Sequence, residues 1–191
     1  MLKRDEMEKV IDLVNKCKKC ILHSTRNNAV VGEGSLNAKI MFIGEAPGRY
    51  EDYVGRPFVG KAGKFFDELL DSIGLKKNEI YISNLIKCRP PNNRNPLKNE
   101  IQKCSKFLDK QIIIIQPKVI APLGNFAISY ILKKYNLKFE KISRIHGKIF
   151  FVNTNFGAIK VIPIYHPAAA IYNINMKNIL LEDFKTIKQN L

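Results

Sequence analysis

Short, largely apolar segments alternate along this chain with longer segments whose apolar residues recur every three or four positions. The first kind is typical of buried strands and the second of amphipathic helices. Such alternation predicts a parallel sheet covered by helices on both faces. We therefore expect an α/β fold with three α-β-α layers around a central, mainly parallel four-stranded sheet. The segments with strand character are 39–43, 79–86, 119–121, 148–152 and 159–164. The segments with helix character are 2–14, 63–73, 97–115, 125–132 and the stretch from 177 onward.

The length and composition favour one domain. The 191 residues lie within the usual size of a single domain, and hydrophobic residues make up 46% of them, enough for a sizeable core. We assign residues 1–191 to this domain because no segment has the composition of a linker. No segment resembles a signal peptide, and no apolar run approaches the roughly 20 residues of a membrane span. We expect an intracellular, cytoplasmic protein that does not enter membranes.

Three polar segments follow predicted strands. Gly44-Glu45-Ala46-Pro47-Gly48 ends the first strand, Asn84 lies near the end of the second, and Tyr165-His166-Pro167 follows the last. Ligands bind beyond the carboxyl ends of parallel strands, so these segments should line one rim of the sheet. A carboxylate at Glu45 and an imidazole at His166 would suit acid–base work or stabilisation of developing negative charge.

Four cysteines form the other informative pattern. Cys17 and Cys20 make a Cys-x-x-Cys pair, and Cys88 and Cys104 are the remaining two. In an intracellular protein, metal binding explains such a set better than disulfides. Four thiolates are what one zinc ion or one [4Fe–4S] cluster requires, and the residues alone leave both open.

The charge points to a polyanionic partner. Lysine and arginine total 32 against 17 acidic residues, a formal net charge of +15. Nucleic acid is the commonest partner of such a surface, and the chain lacks the basic amphipathic helix with aromatic anchors that favours membranes. A non-enzymatic DNA-binding module would explain the charge and the cysteines but not the rim motifs. A redox carrier would explain the cysteines alone.

One phosphate-loop pattern is misleading. Residues 55–62 match most of G-x-x-x-x-G-K-[ST], but Ala62 replaces the hydroxyl that would hold magnesium. Pro57 lacks a backbone donor, and no predicted strand directly precedes Gly55. We therefore expect no nucleotide triphosphatase.

Further short motifs occur in a fixed order along most of the chain. They are Cys17-Lys18-Lys19-Cys20, Thr25-Arg26, Gly32-Glu33-Gly34, Gly44-Glu45-Ala46-Pro47-Gly48, Glu51-Asp52, Gly55-Arg56-Pro57-Phe58-Val59-Gly60, Asn84, Lys87-Cys88-Arg89-Pro90-Pro91, Cys104 and His166-Pro167-Ala168-Ala169. Together they resemble the family 4 uracil-DNA glycosylases, the iron–sulfur branch of the uracil-DNA glycosylase superfamily.

This resemblance implies a hydrolase of DNA repair that flips uracil out of DNA and breaks its N-glycosidic bond. The catalytic residues would be Glu45 and His166. His166 corresponds to the histidine that hydrogen-bonds the O2 side of uracil, where the leaving group gains negative charge. Glu45 and the Ala46 backbone correspond to the part near the base and the attacking water. A general-base role and a water-orienting role stay open for Glu45.

The resemblance also assigns the substrate-binding residues that read the base. Asn84 would read the amide edge of uracil, which needs both a donor and an acceptor. Phe58 would stack on the flipped base. Glu51 would lie near uracil C5, where the methyl group of thymine would clash.

For the cysteines, the resemblance implies a structural [4Fe–4S] cluster, with zinc as the alternative. The cluster would position the DNA-binding residues Arg89 and Arg94. The wedge that fills the gap left by the base would be Ile171 or Tyr172, although this loop departs from the leucine and proline common in the family. Arg49 and Tyr50 also stand at positions that are often acidic there.

No lysine occupies an obvious nucleophile position in these motifs, so we expect a monofunctional glycosylase that leaves an intact abasic site. The partner would be uracil-containing DNA, single- or double-stranded. We expect a monomer. A sliding clamp is a candidate partner for a repair enzyme, although the chain has no clear docking motif for one.

Overall fold

A computed structural model of the chain describes residues 2–171 and 173–191. Within them six strands form one sheet in the order β1-β3-β2-β4-β6-β5. The strands are β1 (Glu33–Gly34), β2 (Ile40–Gly44), β3 (Tyr81–Asn84), β4 (Val119–Pro122), β5 (Phe150–Thr154) and β6 (Gly157–Val161). The helices are α1 (Lys3–Asn15), α2 (Arg49–Val54), α3 (Lys61–Ser72), α4 (Lys98–Ile115), α5 (Asn125–Lys134), α6 (Ile142–Ile145) and α7 (Ile174–Gln189).

The sheet is parallel in its centre and antiparallel at its two edges. Strands β3, β2, β4 and β6 run parallel, whereas β1 and β5 pair antiparallel with β3 and β6. The sheet therefore has six strands where the sequence predicted four, and the four parallel ones form its centre. Strand β1 has two residues, too few for a periodic pattern. Strand β5 overlaps the predicted strand segment 148–152 and joins β6 through a tight turn. None of the helices in the described residues has both the length and the apolar composition needed to cross a membrane.

Both faces of the sheet are covered, which confirms the three-layer α/β class. Along β2, Met41 and Ile43 face the core that α1, α4 and α5 complete. Ile40 and Phe42 face the opposite core, formed with α3 and α7. All four side chains are essentially inaccessible to solvent. A central strand buried on both sides explains the unbroken apolar run in the sequence.

The strand register sets the positions of the polar segments. Gly44 pairs with Asn84 at the ends of β2 and β3, and Ile43 pairs with Pro122 on the other side. A further parallel bridge joins Leu123 to Ile164, just before Tyr165 and His166. The predicted rim is therefore present: the three segments leave the sheet at the carboxyl ends of neighbouring parallel strands.

Candidate active site and metal centre

A cleft of about 410 Å³ opens at this rim. The residues predicted to act on the base all line it: Glu45, Ala46, Glu51, Phe58, Asn84 and His166. They come from the end of β2, from α2, from the loop before α3, from the end of β3 and from the segment after β6. The cleft thus brings together residues that are up to 121 positions apart in the sequence (166 minus 45).

The side chains of Asn84 and Phe58 both lie next to the backbone of Gly44. A Cβ at position 44 would overlap Asn84 Oδ1 and would lie 3.1 Å from the Phe58 ring, so only glycine fits at the end of β2. Asn84 is buried in the ladder, and no described residue hydrogen-bonds to its side-chain amide. Both the N–H and the C=O of that amide are therefore available to a ligand in the cleft.

Phe58 adopts an unusual backbone conformation. Its φ is 52°, in the left-handed region that costs energy for residues other than glycine. The ring lies against His166, with centroids 5.7 Å apart and planes 24° from parallel. Lys77 Nζ donates to the Phe58 carbonyl at 3.3 Å and is paired with Asp67. The surrounding contacts hold a strained residue with its ring in the cleft.

His166 is held as a neutral imidazole. Its Nδ1 accepts a hydrogen bond from the Ala168 N–H at 3.2 Å. Removal from solvent lowers the pKa of His166 to about 4, because burial disfavours the charged ring, while the Glu51 carboxylate raises it slightly. A neutral ring whose Nδ1 accepts must carry its proton on Nε2. The ring therefore offers one N–H donor and no charge.

Two carboxylates share the cleft in different settings. Glu51 Oε1 accepts from the backbone N–H groups of Val59 and Gly60 at 3.0 and 2.8 Å, so this side chain is fixed. Glu45 is half-buried, and burial raises the pKa of its carboxyl. Its backbone carbonyl accepts from Ile86 at 3.1 Å, which fixes the main chain beneath the side chain.

The four cysteines gather around one small cavity on the α1 and α4 side of the sheet. Cys17 and Cys20 follow α1, Cys88 follows β3, and Cys104 lies on α4. Hydrogen-bond donors point at two of the sulfurs: Arg26 Nη1 lies 3.1 Å from Cys88 Sγ, and the N–H of residue 87 lies 3.2 Å from Cys104 Sγ. Such donors stabilise thiolates, so the site fits a thiolate-bound metal.

The sulfurs are not closed around a single ion. Within the described parts of the chain, no group of three or more His, Cys, Asp or Glu side chains has the arrangement that would hold one metal ion. The four cysteines nevertheless line one common cavity, and four thiols are the number that one zinc ion or one [4Fe–4S] cluster requires.

The two predicted DNA-binding arginines lie in the loop between Cys88 and α4. Arg94 lines the mouth of the cleft and donates to both oxygens of the buried Glu100 carboxylate, at 2.9 and 2.6 Å. That contact lowers the pKa of Glu100. Arg89 Nε donates to Asn93 Oδ1 at 2.7 Å. Both guanidinium groups therefore also hold the loop in shape.

The predicted wedge is only partly described. Ile171 is half-buried and follows the short 3₁₀ turn Pro167–Ala170, whose Ala168 and Ala169 are exposed at the rim. Tyr172, the other predicted wedge residue, lies outside the described residues.

A buried polar network beneath Asn84 was not predicted from the sequence. Lys87 is 1% exposed, and its Nζ donates to the Asn84 carbonyl at 2.8 Å, to Gln111 Oε1 at 2.7 Å and to Ser83 Oγ. Gln111 in turn donates to the Val31 carbonyl at 2.9 Å. Burial lowers the pKa of Lys87 to about 7. The sequence signal was Gln111 itself, a polar residue directly before four isoleucines.

Comparison with known proteins gives a consistent picture. The family model described as the uracil DNA glycosylase superfamily matches residues 31–186. A type-4 uracil-DNA glycosylase of Saccharolobus solfataricus is 48% identical over 98% of this chain and 87% of its own. Those of Archaeoglobus fulgidus and Thermotoga maritima are 47% and 44% identical, over 95% and 98% of this chain and 92% and 96% of their own.

Proposed function

The chain belongs to the uracil DNA glycosylase superfamily and excises uracil from DNA, and we propose that it does so in the cleft at the ends of β2 and β3 as a monofunctional hydrolase. Water attacks the C1′ atom of the deoxyribose, and the bond from C1′ to uracil N1 breaks. Uracil leaves as an anion that then takes up a proton, and an intact abasic site remains in the DNA. The gathering of Glu45, Asn84 and His166 in one cleft carries the proposal.

His166 stabilises the leaving group. Its Nε2–H donates to uracil O2, where negative charge grows as the glycosidic bond breaks. Because the ring is neutral, it does not have to lose a proton to the uracil anion, and its contribution grows with the charge on O2. A single positioned donor of this kind is worth about 10²–10³ in rate.

The remaining cleft residues select uracil. The unpaired amide of Asn84 donates to and accepts from the amide edge of uracil, a pattern that cytosine reverses. Phe58 stacks on the base. Glu51, fixed by Val59 and Gly60, stands at uracil C5 and excludes the methyl group of thymine.

Glu45 acts on the water. Burial raises the pKa of its carboxyl, which makes the carboxylate a better proton acceptor than that of an exposed glutamate. It orients the attacking water near C1′ and stabilises the positive charge that develops on the sugar. The Ala46 backbone completes this side of the cleft.

The reaction stops at the abasic site. A lyase step needs an amine that forms a Schiff base with the sugar. No lysine is found among the described residues that line the cleft. This supports the monofunctional assignment.

We also propose that Cys17, Cys20, Cys88 and Cys104 hold a [4Fe–4S] cluster with a structural role. The cluster, when bound, supplies four metal–thiolate links that tie α1 and α4 to the loop after β3. That loop presents Arg89 and Arg94 to DNA phosphates, and Ile171 or Tyr172 serves as the wedge. The monomeric state, the sliding clamp and the intracellular location stay predictions from the sequence.

The activity is tested with a labelled oligonucleotide that contains one uracil. After incubation and alkaline cleavage, we expect one shortened strand, and none from the same oligonucleotide with thymine. Without alkali the strand stays intact if no lyase step occurs. A protein that gives no product from uracil-containing DNA would overturn the proposal, and cleavage without alkali would overturn the monofunctional part.

A further inference from the structure

Two tyrosines of α2 face solvent beside the cleft. Tyr50 is 63% exposed and Tyr53 is 77% exposed. Residues three positions apart lie on the same side of a helix, so the two rings share one face. Val54 is exposed next to them and extends the apolar surface. Large aromatic side chains on a monomer surface are informative when they cluster in this way.

The position of Tyr50 relates this face to the cleft. The next residue, Glu51, lines the cleft and binds the backbone of Gly60. A Cβ at position 60 would lie 3.6 Å from Tyr50 Cδ2, so the ring rests beside the start of α3. Tyr50 itself does not line the cleft. It therefore stands outside the space for the base, beside a residue that lines that space.

The charges around Tyr50 suit a nucleic acid strand. Arg49, which precedes Tyr50 in the chain, and Lys61, which follows Gly60, are both exposed. Among the described residues no carboxylate forms an ion pair with either. Glu45 and Glu51 make the cleft itself unfavourable for phosphate. Basic side chains beside exposed aromatic rings are the combination that binds single-stranded nucleic acid.

We propose that Tyr50, with Tyr53 extending the surface, is a stacking platform for the unpaired base next to uracil on the same strand, and that it favours single-stranded DNA as substrate. The proposal rests on the assignment of the cleft as the uracil site. In a duplex the neighbouring base stays stacked and paired, so it gains nothing from the platform. In a single strand that base is free, and any base offers a π-face, so the effect is independent of sequence.

Steady-state kinetics on one uracil oligonucleotide, alone and annealed to its complement, test the platform. Loss of one base–aromatic stack predicts that Tyr50→Ala raises KM for the single strand about tenfold. We expect kcat to stay unchanged and KM for the duplex to change little. Tyr50→Phe should behave as the unchanged protein, because stacking needs the ring and not the hydroxyl. Phe151→Ala is the matched control, since Phe151 is 74% exposed on the edge strand β5, outside the cleft.

A second readout does not depend on turnover. A 2-aminopurine base placed next to uracil loses fluorescence when it stacks on an aromatic ring. In the His166→Ala background, whose slower turnover leaves most of the oligonucleotide uncleaved during a short measurement, we expect quenching with Tyr50 present and its loss in Tyr50→Ala. The neighbour on either side of uracil is tested separately, and quenching on at least one side is required.

Three outcomes would overturn the platform. These are an unchanged single-strand KM in Tyr50→Ala, an equal rise for single strand and duplex, or a Tyr50→Phe variant as impaired as Tyr50→Ala. In each of them the unchanged protein still excises uracil. An unchanged protein without activity on either substrate would instead overturn the proposed cleft chemistry, so the two failures are distinguishable.

Discussion

The cleft and the cysteine site lie at the two ends of one short stretch of backbone, yet they are held together differently. Asn84 ends β3 and faces the cleft, and Cys88 follows four residues later and faces the other cavity. Asn84 and the segment that begins at Gly44 stand at the ends of paired strands, which fix them through ladder hydrogen bonds. The cysteines come from a helix end, a loop and a helix face, which no ladder joins.

Because of this difference, we assign catalysis to the cleft and structural support to the cysteine site. Strand pairing fixes the ends of β2 and β3 that line the cleft, whereas the proposed cluster would join the parts of the cysteine site. We therefore expect changes at the cysteines to act mainly on stability and changes in the cleft to act mainly on turnover.

The largest expected effect is on stability. Cys88→Ser removes one of four ligands, and loss of a structural metal site costs on the order of 4 kcal/mol or more of unfolding free energy. Iron and sulfide analysis, together with urea unfolding, measures both consequences. Ser105→Ala, a buried change next to Cys104 on α4, is the matched control. Unchanged metal content and stability in Cys88→Ser would show that Cys88 is not a ligand of a structural metal.

The next effect is on turnover. His166→Ala removes the Nε2–H donor and should lower kcat by about 10²–10³, as for other donors to a developing oxyanion. Metal content and the unfolding midpoint should stay the same, since His166 lies in the cleft and far along the chain from every cysteine. Single-turnover kinetics with excess enzyme isolate the chemical step. A variant that keeps full activity would remove His166 from the mechanism.

A smaller effect is expected where the two regions join. Lys87→Met removes the lysine donor to the Asn84 carbonyl and one of the two donors to Gln111 Oε1, the other being Ser83 Oγ, and unsatisfied buried polar groups cost about 1–3 kcal/mol. We expect lower stability and a raised KM for uracil-containing DNA, with the metal retained. Lys110→Met, an exposed lysine on α4, is the control. If Lys87→Met changes KM no more than Lys110→Met does, the network does not position Asn84.

The sequence predicted the cleft better than its surroundings. Strand β2 and the residues after it could be located because a central parallel strand is apolar throughout and its carboxyl end is where ligands bind. The Lys87–Gln111 network could not, because the two residues are 24 positions apart and meet only when α4 packs on the sheet. The same holds for Arg94, predicted to contact DNA, whose bond to Glu100 depends on the path of the loop.

Local backbone conformation was the other feature that the sequence could not predict. Phe58 was assigned to the base by its motif, but nothing in the sequence indicates a left-handed φ for a phenylalanine. The edge strand β1 was too short to be recognised, whereas the edge strand β5 overlaps the predicted segment 148–152. Exposure of Tyr50 and Tyr53 likewise appears only once α2 is packed against the start of α3.

The smallest expected effect is on the pH dependence of activity. It tests most directly whether the cleft and the cysteine site act separately. As the pH falls from neutral, Glu45 takes up a proton above 4.5, the ordinary value for a glutamate pKa, because its pKa is raised by burial. The protonated carboxyl no longer accepts from water, so kcat/KM should fall along a single acid limb. His166 stays neutral until about pH 4, so no inflection is expected near 6.5, the ordinary value for histidine.

Two variants test whether Glu45 causes the fall of kcat/KM at acid pH. Glu45→Gln should have a lower plateau without that limb, and His166→Ala should keep the limb at reduced rate. An inflection near 6.5 that disappears in His166→Ala would show that the charged imidazolium is the active form. Because burial in the cleft sets both pKa values, Cys88→Ser should give the same profile at a temperature where it stays folded. A shifted limb in that variant would mean that the cysteine site shapes the cleft chemistry as well as its support.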